Sequence, residues 1–296
     1  MARYIIKRLL YMIPMLFCVI LMVFLIMSFT PGDPASNTLP LTTPQNVKDA
    51  FNESVGFTGS LAARFWTYLK GLFTGNVISY TTRENIFTEL GIRFPLTLRL
   101  GTIAFCISAL AGVALGILGA VKQYSFVDTV VTTFAVLFAS VPSFFVAVCL
   151  ELYFSVYKGW FPTVGIEGVR SYVLPVATLV LSSIPILSRM TRSAMLDAMN
   201  QDYIRTARAK GCSERRVIWK HALKNASLPI ITLLLTGFAG ILGGSVIVES
   251  IFTIPGIGTY MLSAINAKNV PVVMTCALLL AFIFMVAMVL MDIFFA

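Results

Sequence analysis

Side chains able to do acid–base, nucleophilic or metal chemistry are few and scattered in this chain of 296 residues. A single histidine, His221, supports neither a His-rich metal site nor a Ser/His/Asp constellation. The five cysteines, Cys18, Cys106, Cys149, Cys212 and Cys276, show no C-x-x-C spacing. Four of them sit in apolar runs, where they read as packing residues. An intramembrane protease would want facing aspartates or a serine with a histidine, but Asp128, Asp292 and His221 fall at or beyond the ends of apolar segments. No G-x-x-x-x-G-K-[ST] phosphate loop is present, so the chain itself is not expected to bind ATP. The reading is of no catalytic residue, no metal and no cofactor in this chain.

What the sequence does offer is a polar run built for docking, from Arg192 to Arg216. Two helices fit it, with Gly211 as a left-handed cap between them and Ser213 capping the second. Ile204, Ala207 and Gly211 share one face, a low-relief stripe rimmed by Arg205, Arg208 and Lys210 that suits insertion into a groove. A solvated basic loop explains the charges but not the ordered Ala and Gly spacing.

These residues need elements to hold them, and composition says which. Hydrophobic residues make up 58% of the chain and charged residues 12%, and mean hydropathy is +0.88. Soluble domains carry about twice as much charge, so a soluble fold is excluded. Net charge is +9, yet no soluble domain remains to bind nucleic acid with it. The expected fold is an all-α integral membrane protein with six transmembrane helices. They are placed at Leu9 to Phe29, Leu100 to Val121, Thr129 to Leu150 (with Tyr157 as a later limit), Tyr172 to Leu187, Ala226 to Val248 and Val270 to Met291. The first is read as an uncleaved span, because it exceeds the apolar core of a signal peptide and no A-x-A site follows. Arg3, Lys7 and Arg8, then Lys122, then nine basic residues between Arg189 and Lys224 lie on one side. By the positive-inside rule that side is the cytoplasm, and both termini share it.

The chain is thus read as one transmembrane domain, 1–296: an N-terminal span (1–29), a large extracytoplasmic loop (30–93) and a five-helix core (94–296) with a cytoplasmic loop at 188–227. In the outer loop, Pro31-Gly32-Asp33-Pro34 forms a turn, Thr43-Pro44 starts a short helix, and Ser60 caps a helix with Leu61, Phe65, Leu69, Leu72 and Phe73 on one face. That face either lies on membrane lipid or packs on neighbouring spans. Ala104, Ser108, Gly112, Gly116 and Ala120 form a small-residue ridge for close helix approach, within this chain or with a partner. Gly237, Gly240, Gly243 and Gly244 give the fifth span a similar face. Pro142, Pro175 and Pro185 free backbone groups that neighbouring helices or a wet cavity must satisfy. Glu151 and Glu249, at outer ends of spans, either line an outer gate or snorkel to the interface. No charge falls clearly at the midplane, which opposes an ion-driven carrier or channel.

The run Asp202-Tyr203-Ile204-Arg205-Thr206-Ala207-Arg208-Ala209-Lys210-Gly211, with Ser213-Glu214-Arg215-Arg216 and His221 to Pro229 beyond it, resembles the coupling loop of ATP-binding-cassette importer permeases. More narrowly it is similar to the first permease of the dipeptide, oligopeptide and nickel group. Where such loops read Glu-Ala-Ala, this chain has Arg205-Thr206-Ala207; Gly211 and Leu228-Pro229 are kept, with a longer gap between them. Arg93 to Leu98, Ser140 to Phe144, Val248-Glu249 and Pro255-Gly256-Ile257-Gly258 extend the resemblance over nearly the whole chain. The chain departs from the group by stopping at Ala296, without a polar tail.

The resemblance implies a permease that pairs with a second homologous permease, two ABC ATPase subunits that bind ATP and Mg, and an extracytoplasmic substrate-binding protein. The implied mechanism is alternating access. Tyr203, Arg205, Ala207, Arg208, Gly211, Glu214 and Arg215 would couple to the ATPases, with Ala207 and Gly211 allowing close approach. The implied place is the bacterial inner membrane, and the segments 30–93 and 252–271 would receive the binding protein. Among substrates, bare nickel would favour imidazole or thiolate ligands, which this chain scatters. Di- or oligopeptides are therefore the expected cargo, and nickel or a metal chelate is the alternative.

Overall fold

The computed structural model describes residues 2–166 and 168–295, with side chains for 6–166 and 168–293. The side chain of Arg3 and residue Ala296, both used above, lie outside those limits. The described chain is helical throughout: α1 (Ala2–Phe29), α2 (Pro34–Thr38), α3 (Gln45–Ser54), α4 (Leu61–Thr74), α5 (Ile86–Val121), α6 (Phe126–Ser140), α7 (Ser143–Leu150), α8 (Arg170–Met199), α9 (Asp202–Ala209), α10 (Glu214–Arg216), α11 (Leu223–Ile251), α12 (Ile257–Asn266) and α13 (Val270–Phe295). A π-helical turn at Glu151–Tyr157 continues α7, and another at Val217–Ala222 joins α10 to α11.

Five helical stretches are long and apolar enough to cross a membrane: α1, α5, α8, the continuous run 214–251, and α13. The sixth differs from expectation. Instead of one helix from Thr129 to Leu150, α6 and α7 form a pair bent by 96°. The cause is Pro142, which has no N–H and forces Val141 into an extended conformation (φ −96°, ψ 124°). Pro142 then opens α7, accepting from the N–H groups of Phe145 at 3.0 Å and Val146 at 3.2 Å.

Spans also run further than their apolar cores. α5 starts at Ile86 rather than Leu100, and α8 reaches Met199 rather than Leu187. Beyond the hydrocarbon a helix tolerates charge, and in α5 Arg93 pairs with Glu89 one turn earlier at 2.8 Å. Within the segment 188–227, α8 extends to Met199 and the next long helical run begins at Glu214, with α9 between them.

α5 packs chiefly against α8, through the small-residue ridge. Ala104, Ser108, Gly112, Gly116 and Ala120 are all buried. A Cβ at Gly112 would meet Leu187 Cβ at 2.6 Å, and one at Gly116 would meet Thr191 Cβ at 2.5 Å. The ridge thus serves a contact inside this chain. Below it, Arg192 of α8 grips Asp128 of α6 with two hydrogen bonds, of 2.6 and 2.8 Å. A bidentate pair of this kind fixes orientation as well as distance.

At one end of the bundle Arg8 meets Asp292 at 3.0 Å, so the first and last helices finish side by side. At the other end the segment 30–85 folds into a cap. Asp33 caps α2 through Ser36 N–H at 3.0 Å and takes a bond from Asn52 of α3 at 2.7 Å. Burial pushes the Asp33 carboxyl up, but these bonds outweigh it and hold the group below the usual carboxylate range. Ser60 caps α4 by accepting from Ala63 N–H. Phe65, Leu69 and Leu72 of α4 pack on the outer core formed with α1, α12 and α13. Leu61, Trp66 and Phe73, 39%, 69% and 87% exposed, remain for lipid. Of the cysteines, Cys276 is buried while Cys18, Cys106 and Cys149 are exposed on their helices, so the packing expectation holds for Cys276 and fails for those three.

Candidate coupling and translocation site

The inner loop is built around α9. Ile204 and Ala207 point inward, 0% and 6% exposed, and pack with Ile117, Met195, Ala198, Val217, Ala222 and Ala226. This reverses the expected orientation: the Ile/Ala stripe anchors α9 to its own bundle, and Ala207 offers no surface to a partner. The period of apolar residues located the buried face, and burial within the chain used it first.

Gly211 ends α9 in the left-handed region at φ 75°. Its N–H reaches Arg208 O at 2.9 Å and the N–H of Cys212 reaches Ala207 O at 3.2 Å, a double bond pattern that closes the helix. Ser213 precedes α10 without a side-chain capping bond, contrary to expectation; its carbonyl accepts from Val217 N–H at 3.0 Å. Arg208 holds Glu214 through Nε at 2.7 Å and Nη2 at 3.2 Å. These two residues brace α9 against α10 rather than standing free. The outward face carries Tyr203, Arg205, Lys210, Arg215 and Arg216, all exposed. Trp219, 57% exposed, lines an open basic cavity with Ser213, Arg215 and Arg216. Trp219 is not among the residues picked out by spacing or charge, although a tryptophan on an otherwise charged loop marks such a surface.

At the outer end, Glu249 is fully buried, so it neither snorkels nor faces a passage. One carboxylate oxygen accepts from Gly258 N–H at 2.7 Å and the other from Ser245 at 3.2 Å. A Cβ on Gly256 or Gly258 would run into this carboxylate, so the Pro-Gly-Ile-Gly turn is glycine-bound for lack of room. Thr97 of α5 accepts from Ile257 N–H at 2.9 Å beside it. Glu249 thus ties the start of α12 to α11. Glu151, partly buried, opens the π-helical turn after α7.

Between these ends lies a cavity of about 300 Å³ lined by Ser143, Ser182, Ser183, Gly237, Gly240 and Gly244, among others. No charged residue lines it. Gly237, Gly240, Gly243 and Gly244 have nothing within 4 Å of where a Cβ would stand. Among the described residues no group of three His, Cys, Asp or Glu side chains comes together as for a metal.

An exposed docking face on one end, a cap on the other and an uncharged cavity between spans define a membrane permease worked from outside the chain. Residues 112–296 match the family described as binding-protein-dependent transport system inner membrane component, and residues 1–101 match its N-terminal companion. The chain belongs to this family of inner-membrane transport permeases. It is 35% identical, over all of its length and 97% of theirs, to the glutathione transport system permease protein GsiC of Escherichia coli (strain K12) and of Salmonella choleraesuis (strain SC-B67). Its fold is similar to the inward-facing MetNI methionine ABC transporter, with TM-score 0.58 and 17% identity over 71% of this chain and 95% of that one. An amino acid ABC transporter crystallised with histidines gives TM-score 0.57 at 16% identity, over 71% and 92% of the two chains. The protein is an ATP-binding-cassette importer permease.

Proposed function

We propose that this chain forms half of the translocation path of an importer for short peptides. The observation that carries the substrate class is full-length identity of 35% to permeases named for glutathione, itself a tripeptide. The serine- and glycine-lined cavity supports it. Its serine hydroxyls can exchange hydrogen bonds with a peptide unit, its glycines leave room beside α11 and the rest of its lining is apolar, while the lack of charge disfavours capture of one side-chain type. A homologous second permease would supply the facing half.

In this reading the outward face of α9 and α10, with Tyr203, Arg205 and Arg215, meets cytoplasmic ATPases that bind ATP and Mg. Arg208 and Glu214 keep that face rigid, and Gly211 sets the turn. Closure of the ATPases would then move α9 together with the bundle ends to which Ile204 and Ala207 bind it. The termini lie on the cytoplasmic side, as the loop charges require.

Nickel remains the second reading through the family resemblance alone; among the described residues no group of soft or imidazole ligands comes together for it. The test is ATPase activity of the complex in lipid with its binding protein, challenged with peptides or with chelated nickel. Stimulation by peptides supports the reading. Stimulation by nickel alone overturns the substrate, and solute movement driven by an ion gradient without ATPases overturns the mechanism.

A further inference from the structure

A second cavity, of about 410 Å³, opens in the outer cap between α4, the residues around Gly56 and the 76–83 segment. Its lining includes Arg64 and Arg83, the hydroxyls of Ser54, Thr67 and Tyr80, and no acidic residue. The cap as a whole is not basic, since 30–93 holds as many acids as bases. Three of its acids are used elsewhere, Asp33 by Asn52 and Ser36, Asp49 by Gln45, and Glu89 by Arg93, and none lines the cavity. The two arginines of the cavity meet rings and neutral groups instead.

Arg64 is the clearest instance. Its Nε and Nη2 atoms are buried and find no hydrogen-bond acceptor among the described residues. Aromatic rings take their place, with Phe57 at 4.1 Å and Phe24 at 5.8 Å from the guanidinium. Cation–π contact offsets only part of what a guanidinium loses on leaving water. Arg83 reaches only neutral groups, Ser54 Oγ at 2.6 Å and Ser54 O at 3.3 Å, and its backbone is left-handed at φ 59°. Nearby Lys268 is buried and spends its ammonium on the carbonyls of Thr30 and Pro31. Burial, and then the charge on Arg64, depress the Lys268 pKa. Arg64, with two buried guanidinium nitrogens lacking an acceptor, and the exposed Arg83 beside it, around a cavity lacking acids, describe a site for an anion.

We infer that this cavity receives a carboxylate side chain of the extracytoplasmic binding protein, with Arg64 and Arg83 as its partners and Phe57 displaced from the guanidinium on entry. This rests on the permease reading, which supplies the binding protein. Location selects that protein over cargo in transit. The cavity is built on α4 and Pro271, beside α1 and α13, whereas the serine- and glycine-lined cavity lies between α5, α7, α8 and α11. A carboxylate entering here anchors its owner to the cap and leaves the path clear.

The experiment titrates the cognate binding protein against the complete complex in lipid, reading stimulated ATPase at low and high salt. Arg64→Gln and Arg83→Gln are expected to weaken the apparent affinity for the binding protein about tenfold and to flatten its salt dependence. Arg83→Lys is expected to retain most of it, and Lys70→Gln, an exposed cation on the same helix outside the cavity, to titrate as wild type. Should Arg64→Gln fail to assemble, the exposed Arg83→Gln carries the comparison. Wild-type titrations in both glutamine variants overturn the site. So does a change confined to peptide dependence, which would make the cavity a cargo site. A wild-type complex that ignores the binding protein at every concentration would instead bring down the permease reading beneath it.

Discussion

Two helices of this protein carry the same sequence signature and use it in opposite ways. On α5 the small residues meet α8 so closely that Gly116 leaves no room for a methyl group before Thr191 and Ser188. On α11 four glycines face open space, and three of them, Gly237, Gly240 and Gly244, line an uncharged cavity. A glycine ridge therefore reports that something comes close, and only the neighbouring helices say whether that neighbour belongs to the chain. In α5 it does. In α11 no neighbour among the described residues fills that space.

The contrast breaks or sharpens under substitution. The largest effect is expected at the filled ridge: Gly116→Leu should force α5 from α8 and abolish recovery of folded complex. Gly116→Ala should cost about 1–3 kcal/mol through overpacking, read as a lowered midpoint in thermal denaturation of the purified complex. An unshifted midpoint would show that α5 and α8 have slack, and the contrast would disappear. At the outer turn, Glu249→Ala leaves the buried Gly258 N–H without its acceptor, at about 1–3 kcal/mol, while the Ser245 hydroxyl keeps Leu242 O. Glu249→Gln, which keeps an acceptor oxygen, should recover most of it by the same measurement. A smaller change is expected from breaking Arg208 and Glu214, an exposed pair worth about 0.2–1 kcal/mol. Arg208→Glu should uncouple ATP hydrolysis from transport while insertion stays intact. The exchange Arg208→Glu with Glu214→Arg should restore coupling if bracing is the role, and fail to restore it if Arg208 itself touches the ATPase. Smallest in stability is Gly240→Ala on the open face. Helix propensity even favours alanine by up to about 1 kcal/mol, yet peptide uptake should fall as the methyl enters the cavity. Unchanged uptake would take α11 off the path.

How legible this was depended on whether the deciding partner lay near in sequence. Apolar runs and short-loop charges gave the spans, because hydrocarbon thickness and backbone satisfaction act locally. Pro142 was visible as a break, but not the 96° bend, since direction after a proline is set by packing. The α9 stripe was legible as a face; that Ile204 and Ala207 turn inward depends on Met195, Val217 and Ala226, brought together only in three dimensions. Glu249 illustrates the limit. At the end of an apolar helix a glutamate reads as interfacial, and its true partner is a backbone amide nine residues on, exposed by a turn that only glycine permits. The pairing of Arg192 with Asp128 was equally hidden, its two residues lying 64 positions apart.

The bend at Pro142 also constrains how the protein is made. α6, with 15 residues, rises only about 22 Å at 1.5 Å per residue. A bilayer core of about 30 Å is too thick for it alone. The bare backbone groups at the bend cannot face lipid either. A chain that has emerged only as far as Tyr157 therefore holds a pair bent by 96° that still lacks its neighbour. Its place is fixed once α8 has followed with Arg192 for Asp128, so integration of the middle of this chain is an act of assembly between neighbours rather than a sequence of independent crossings.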